Sequence, residues 1–209
     1  MAREDRPSHD KLVMKKLKRI PAIALRLVKQ QNPACVGQLK SAVELGDWTG
    51  ALLCVGSRER ISLCVYLWPI IPDNDRACVL AEAISCGDAP RYERDNLCAM
   101  LSALHEQNKR LFDSKAAKEA FNNLPTQVTI YRGTTESEGE NYGVCWTLSR
   151  DKAVFFATKH YRFRNTKSLP VILSATIKRD DICGLLVERN EREVVICPSQ
   201  IGAVGRSLP

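Results

Sequence analysis

The pattern of apolar and polar positions changes character at residues 122–125. Before this point, apolar residues recur every three or four positions, a period that predicts amphipathic helices from Cys35 to about Asn122. Clusters of glycine, aspartate and proline interrupt the pattern and predict helix ends and N-caps. These clusters lie at 46–47, 71–75 and 86–90.

After residue 125 the pattern consists of short β-branched segments, which predict strands. One helix interrupts them, from Ser149 as N-cap to about Tyr161. Consecutive strands without alternating helices argue against a doubly wound parallel sheet. We therefore predict an α+β fold, with a helical region at 1–125 packed against a sheet at 126–209, either as two units or as one continuous domain. The predicted strands are 127–131, 143–148, 170–177, 182–187, 193–197 and 201–205.

The composition is that of a soluble globular protein, with 44% hydrophobic and 26% charged residues. No run approaches the roughly 18 apolar residues that a membrane helix needs, and the polar start does not resemble a signal peptide. We expect a cytoplasmic protein that does not bind membranes. The net charge of +7 attracts phosphate backbones, anionic surfaces or acidic partners without choosing among them.

The cysteines and histidines do not indicate a metal or a disulfide framework. The 9 cysteines are an odd number, lie mostly within apolar runs and contain no Cys-x-x-Cys spacing. Most of them are predicted to be buried free thiols that act as small hydrophobes. The histidines, His9, His105 and His160, are scattered, so no metal cofactor is expected.

Three motifs of the second half carry candidate chemistry. In the first, Tyr131-Arg132-Gly133, an arginine at a strand end offers a planar fork of donors suited to a phosphate pair. The glycine lets a ligand approach the backbone closely. Taken alone, this motif is better explained as an ordinary surface residue, because surface arginines on strands are common.

The second motif runs from Gly143 to Ala157. A strand carries small polar side chains to its end, and the following helix holds aromatic residues that can wall a pocket for a flat ring. A strand followed by a capped helix with an apolar face accounts for the same pattern.

The third motif places Glu191 and Glu193 at the start of a strand. Residues two apart on a strand point to the same side, so two carboxylates share one face. Like charges so placed repel, and this cost favours a functional explanation. One carboxylate can stabilise a sugar cation while the other handles the incoming nucleophile. A solvated edge with interspersed arginines is the alternative.

In order and spacing, these motifs resemble the ADP-ribosyltransferase family of the Arg–Ser–Glu type. That family has an aromatic-Arg strand, a Ser-Thr-Ser-like strand leading into a helix, and a Glu/Gln-x-Glu strand start. The chain further resembles a small bacterial and phage-related branch, whose middle motif reads roughly Gly-x-Ser-Trp-Thr before a helix ending in Phe-Ala. The resemblance covers about residues 126–200 and implies a split β-sheet core.

The resemblance implies that NAD is the substrate and that no metal is needed. Arg132, with Gly133 beside it, would hold the pyrophosphate and ribose, and Thr147 would support the catalytic glutamate. Glu193 would stabilise the oxocarbenium ion as nicotinamide departs, and Glu191 would orient or deprotonate the acceptor. Candidates for packing against nicotinamide or adenine are Tyr142, Trp146 and Phe156.

Cys145 departs from the family pattern, because it stands where the first serine of the middle motif is expected. A thiol is a weaker hydrogen-bond donor than a hydroxyl. Either Thr147 or Ser149 takes that role at the NAD site, or activity is tuned or lost.

The acceptor is predicted from the segment after the helix, in which aromatic and cationic residues alternate: Tyr161, Arg162, Phe163 and Arg164. Such a segment can stack bases and hold phosphates of single-stranded nucleic acid, or its arginines can meet NAD or an acidic partner. The basic charge and the phage-defence branch favour RNA, whereas Glu-x-Glu is more usual where the acceptor is a protein arginine.

The expected function is accordingly that of a toxin or antiphage effector that ADP-ribosylates RNA, with an antitoxin as partner. One alternative is a protein arginine ADP-ribosyltransferase. A further alternative is an inactive module that binds NAD or RNA.

Overall fold

The computed structural model describes residues 19–87, 93–138, 143–159, 168–187 and 192–209. These residues form N-terminal helices and a C-terminal mixed sheet of seven strands, so the predicted α+β class is confirmed. The helices are α1 (Ala22–Gln31), α2 (Cys35–Leu45), α3 (Trp48–Leu52), α4 (Arg60–Leu67), α5 (Arg76–Cys86), α6 (Arg94–Glu106), α7 (Lys115–Asn122) and α8 (Arg150–Thr158). The strands are β1 (Leu111–Phe112), β2 (Gln127–Thr135), β3 (Cys145–Thr147), β4 (Pro170–Lys178), β5 (Gly184–Leu186), β6 (Glu193–Val195) and β7 (Gly205–Ser207).

The helical half is punctuated at residues 46–47 as its sequence predicts, whereas Asp75 precedes α5 without capping it, because its carboxylate accepts a hydrogen bond from Trp48 Nε1 at 3.2 Å. Gly46 ends α2 with φ 73°, a left-handed conformation that glycine adopts without steric cost. Asp47 then caps α3 by accepting a hydrogen bond from the amide of Gly50 at 2.9 Å. The helices bury a core that includes Leu63 and Leu101 and extends to Val195 of the sheet. The helical half therefore packs directly against one face of the sheet.

The strand order is β1-β5-β6-β3-β2-β4-β7. Strand β1 pairs in parallel with β5, and the other neighbours are antiparallel. Strand β1 lies inside the stretch predicted to be helical, so that prediction was wrong at 111–112. Two residues are too short to produce a strand period in the sequence, and tertiary pairing of the fully buried Leu111 with β5 decides their conformation.

The two faces of the sheet have different covers. Helix α7 lies on one face, where Phe121 packs with Ile130, Leu185 and Val194. The other face is covered by the helical layer over β5 and β6 and by α8 over β2 and β4. On this second face, the candidate residues lie on β2, β3 and β6, between α8 and the helical layer.

All 9 cysteines fall within the described residues, and none forms a disulfide. The prediction that most of them are buried was wrong: Cys78 is exposed, four are half-buried, and the buried ones are Cys54, Cys64, Cys183 and Cys197. In the described ranges, no helix is long and apolar enough to cross a membrane.

Candidate functional site

The three motifs lie on three adjacent strands. Strand β3 pairs with β2 through Thr147 and Tyr131, and it pairs with β6 through Thr147 and Glu193. Directly paired residues project from the same face of an antiparallel sheet. Tyr131, Thr147 and Glu193 therefore form one row across the sheet, which ends at Leu186 of β5.

Within this row, Thr147 and Glu193 are direct cross-strand partners on adjacent strands. Thr147 is 5% exposed, and its Oγ1 accepts a hydrogen bond from the amide of Ser149 at 3.1 Å. Glu193 is half-buried. The preceding residue, Arg192, has φ 46°, in the left-handed region that residues other than glycine rarely adopt. A threonine and a glutamate are thus paired across β3 and β6 at the edge of the core.

The sheet is nearly divided between β2 and β3. Strand β2 pairs with β4 along its whole length, from Gln127 to Thr135. With β3, in contrast, its ladder within the described residues consists of the pair Tyr131–Thr147. The seven strands therefore form two groups, β1-β5-β6-β3 and β2-β4-β7, that meet at the candidate site.

Arg132 spans this split. The amide of Ile196 donates a hydrogen bond to the Val144 carbonyl at 2.9 Å, so this carbonyl points toward β6. Because successive carbonyls of a strand point in opposite directions, the Cys145 carbonyl points toward β2. Arg132 Nη1 donates a hydrogen bond to that carbonyl. The guanidinium takes the place of a β2 amide and ties the two groups of strands together.

The backbone alternation places Arg132 on the opposite face from the Thr147–Glu193 row. Its strand partner Leu173 lies in the core beneath α7, whereas Tyr131 packs against α8. The long side chain nevertheless carries the guanidinium to the Cys145 carbonyl, two residues before Thr147. The structure thus places Arg132 on the strand next to β3, with its side chain leaving the backbone on the face opposite Thr147 and Glu193.

Two glycines make this arrangement possible. A Cβ on Gly143 would lie 2.9 Å from Arg132 Nη2, so the missing side chain leaves room for the guanidinium. A Cβ on Gly133 would collide with the backbone carbonyl of Ala153 and the amide nitrogen of Ala157 in α8. Close packing of α8 on β2 therefore accounts for Gly133, where the sequence predicts the close approach of a ligand.

Helix α8 begins as predicted. The Ser149 hydroxyl caps it by accepting a hydrogen bond from the amide of Lys152 at 3.3 Å. Phe156 is half-buried and meets Phe155 edge-to-face at 5.7 Å. Ser149 stands two residues from Thr147, so the same short turn starts the helix and holds the threonine.

Trp146 projects from the face opposite the Thr147–Glu193 row, whereas Cys145 projects from the same face as that row, two residues before Thr147. Trp146 is 2% exposed, packs beneath the sheet with Val194, and donates from Nε1 to the Gly143 carbonyl at 3.2 Å. Core packing accounts for this ring, and its burial gives no support to the predicted contact with nicotinamide or adenine. The Cys145 side chain packs against the helical core.

Several predicted site residues lie outside the described residues. They are Tyr142, Glu191, Tyr161, Arg162, Phe163 and Arg164.

Asp113 supports the site without any signal in the sequence. Its Oδ2 accepts a hydrogen bond from the amide of Val187 at 2.7 Å, across 74 residues of chain. Val187 follows Leu186, the partner of Glu193 in β5. Only the fold brings Asp113 to this end of β5.

The arrangement has the parts for acid–base and electrostatic chemistry on a sugar. A carboxylate beside a hydroxyl can bind a ribose hydroxyl and stabilise a neighbouring cation. In the part of the chain that the structure describes, no group of three or more His, Cys, Asp or Glu side chains is placed to hold a metal ion.

No protein-family model, curated protein or solved structure matches the chain.

Proposed function

We propose that the chain is an NAD-dependent mono-ADP-ribosyltransferase that modifies RNA as a toxin or antiphage effector. The observation that carries the proposal is the placement of Glu193 beside Thr147, next to the split that Arg132 spans. Motifs that are far apart in sequence meet in three neighbouring strands. The division of the sheet into two groups of strands agrees with the split core that the sequence resemblance implies.

In this proposal, Glu193 accepts a hydrogen bond from a ribose hydroxyl of NAD. The bond between the ribose C1′ and the nicotinamide nitrogen breaks, and its electron pair leaves with neutral nicotinamide. The carboxylate stabilises the resulting oxocarbenium ion. A nucleophile of the acceptor then bonds to C1′ and loses its proton to a base, a role that we assign to Glu191.

Arg132 and Thr147 prepare the site for this reaction. The planar guanidinium suits the NAD pyrophosphate, and its hydrogen bond to the Cys145 carbonyl sets its plane. Thr147 places a hydroxyl beside Glu193, whereas the Cys145 side chain lies among helical residues. This geometry favours Thr147 as the residue that takes the role of the missing serine.

Replacing Glu193 tests the catalytic assignment. We expect Glu193→Gln to lower nicotinamide release from NAD by at least about 10²-fold, because an amide cannot stabilise the cation as a carboxylate does. Nicotinamide is measured by chromatography, and circular dichroism checks the fold. The matched control is Glu44→Gln, an exposed glutamate of α2, which should retain full activity. An active Glu193→Gln protein would refute the assignment.

The acceptor is identified with labelled NAD and a cell lysate, followed by separate digestion with ribonuclease and protease. Loss of the label to ribonuclease supports RNA, and loss to protease supports the alternative of a protein arginine. Nicotinamide release without label in either fraction contradicts transfer. If the natural sequence releases nicotinamide, the inactive-module alternative is eliminated.

A further inference from the structure

A concave surface lies at the edge of the sheet, away from the candidate site. This edge groove has a volume of about 400 Å³ and is formed by the start of α5, the residues before β1, and α7. Strand β1 is separated from β3 by β5 and β6. The groove is therefore distinct from the place where Thr147 and Glu193 meet.

The charge of the edge groove is positive. Lys109, Arg110 and Lys118 line it, and none of the described lining residues carries a carboxylate. Lys109 Nζ donates to the Asp73 carbonyl at 2.8 Å, and Arg110 donates to the carbonyls of Ile182 and Asp180, each at 3.2 Å. These contacts position the cations but do not neutralise them, because the acceptors are uncharged.

The nearby carboxylates are directed to other cations. The Asp73 carboxylate lies 2.7 Å from Arg76, and that of Asp180 lies 3.5 Å from Arg179. Lys118 is exposed on α7. The edge groove thus presents three cationic groups to a ligand, which indicates an anionic occupant.

Aromatic and amide groups accompany these charges. The rings of Phe112 and Phe121 meet edge-to-face at 5.6 Å, and the Arg110 guanidinium lies 5.0 Å from the Phe121 ring centroid. Phe121 thereby supports one face of the guanidinium plane. Arginine planes and aromatic rings stack the unpaired bases of single-stranded RNA.

The exposed amides of Asn74, Asn108 and Asn122 also line the edge groove. Amides can both donate to and accept from the edges of bases and the ribose 2′-hydroxyl. An acidic peptide would use the cations but not this mixture of stacking and amide groups. A duplex would present no base face to Arg110, because its bases are stacked within the helix.

We propose that the edge groove binds single-stranded RNA, with phosphates on Lys109 and Lys118 and a base against the Arg110 guanidinium. This inference goes beyond the proposed function and needs no NAD chemistry, since RNA binding is measured without NAD. If the protein binds RNA in the groove but releases no nicotinamide, the groove assignment stands and the catalytic assignment is refuted.

The test uses the full chain and a fluorescently labelled 12-nucleotide RNA of mixed sequence, followed by anisotropy at 50–200 mM salt. We expect Lys118→Gln to weaken binding roughly 3- to 10-fold at low salt and to reduce the salt slope by about 0.7, the value for one phosphate contact on a single strand. The matched control is Lys115→Gln, on the same helix. Lys115 does not line the groove. Its ion pair with Glu119 has a distance of 3.8 Å, and both side chains are exposed to solvent.

A second pair places a new negative charge inside or outside the groove. Asn122→Asp should weaken RNA binding, whereas Asn123→Asp, at the adjacent exposed position, should not. Thermal unfolding of all four variants checks that the fold is intact. The proposal is overturned by an absence of RNA binding, by equal losses within either pair, or by equally effective competition from duplex RNA or polyglutamate.

Discussion

Arg132 is the residue at which a structural contact and a proposed ligand contact coincide. Its guanidinium bonds the Cys145 carbonyl where β2 and β3 separate, and Gly143 leaves the space that it occupies. A charged donor to a carbonyl is stronger than a neutral one, and an unsatisfied carbonyl in a partly buried place is costly. Arg132 should therefore contribute to stability whether or not NAD is present.

Replacing this arginine by lysine keeps the positive charge but removes the planar guanidinium. We expect Arg132→Lys to lower the free energy of unfolding by about 1–3 kcal/mol, because an ammonium on a flexible stem does not reproduce the planar fork. Urea unfolding measures the change. Arg206→Lys, at an exposed position of β7, is the control and should stay within about 0.5 kcal/mol of the parent. Equal stability of Arg132→Lys and the parent would show that the Cys145 contact is energetically neutral.

At the scale of elements, the close approach of α8 to β2 sets the geometry of the middle motif. Helix α8 lies directly over Gly133, and its cap, Ser149, donates its amide to Thr147. Ala153 and Ala157 face β2 with small side chains, which permits the helix backbone to approach the strand closely. Any side chain at residue 133 must push the helix away and carry the turn that holds Thr147 with it.

Two glycine substitutions with opposite expected signs test this packing. Gly133→Ala should destabilise the protein by about 1–3 kcal/mol, since its methyl group meets the α8 backbone and not a movable side chain. Gly37→Ala, within α2, has open space around the new methyl group and should stabilise by about 0.5–1 kcal/mol through helix propensity. Thermal or urea unfolding measures both changes. A neutral Gly133→Ala would mean that α8 can shift without cost.

On the scale of the whole molecule, the helical layer and part of the sheet share one hydrophobic core. Buried cysteine side chains form part of this core. Cys64 of α4 is fully buried, and burial raises its pKa from 9.0 to about 12. Burial, more than the nearby Cys197, also raises the pKa of Cys98 to about 11. In the unfolded chain these thiols ionise near their ordinary pKa, while in the folded chain they keep their protons.

This difference predicts a pH dependence of stability. A group whose pKa is raised by folding contributes its full stability below the unfolded pKa and loses it as pH rises toward the folded pKa. Between pH 9 and pH 12 the folded protein should therefore lose stability, by about 2 kcal/mol from Cys64 alone at pH 10.5. Urea unfolding at pH 8 and pH 10.5 should show a smaller loss in Cys64→Ala than in the parent. Identical losses would contradict the assignment to Cys64.

The amino-acid sequence alone determined the α+β class, most strand positions, the Ser149 cap and the glycine end of α2, because these depend on local period and on residues that act within one turn. It also determined the three motifs and their order. It did not reveal strand β1, the tie from Asp113 to Val187, or the burial of Trp146, since each depends on contacts between distant parts of the chain.

Only the tertiary structure decided which motif residues become neighbours. Strand register pairs Thr147 with Glu193, and a shift by one residue would place Trp146 there and turn the side chains of β3 to the other face of the sheet. The packing of α8 assigned Gly133 to a helix contact, and the separation of β2 from β3 gave Arg132 a carbonyl to bind. These contacts depend on which helices pack on each face of the sheet and on where the strand pairing is interrupted. No local sequence pattern encodes either property.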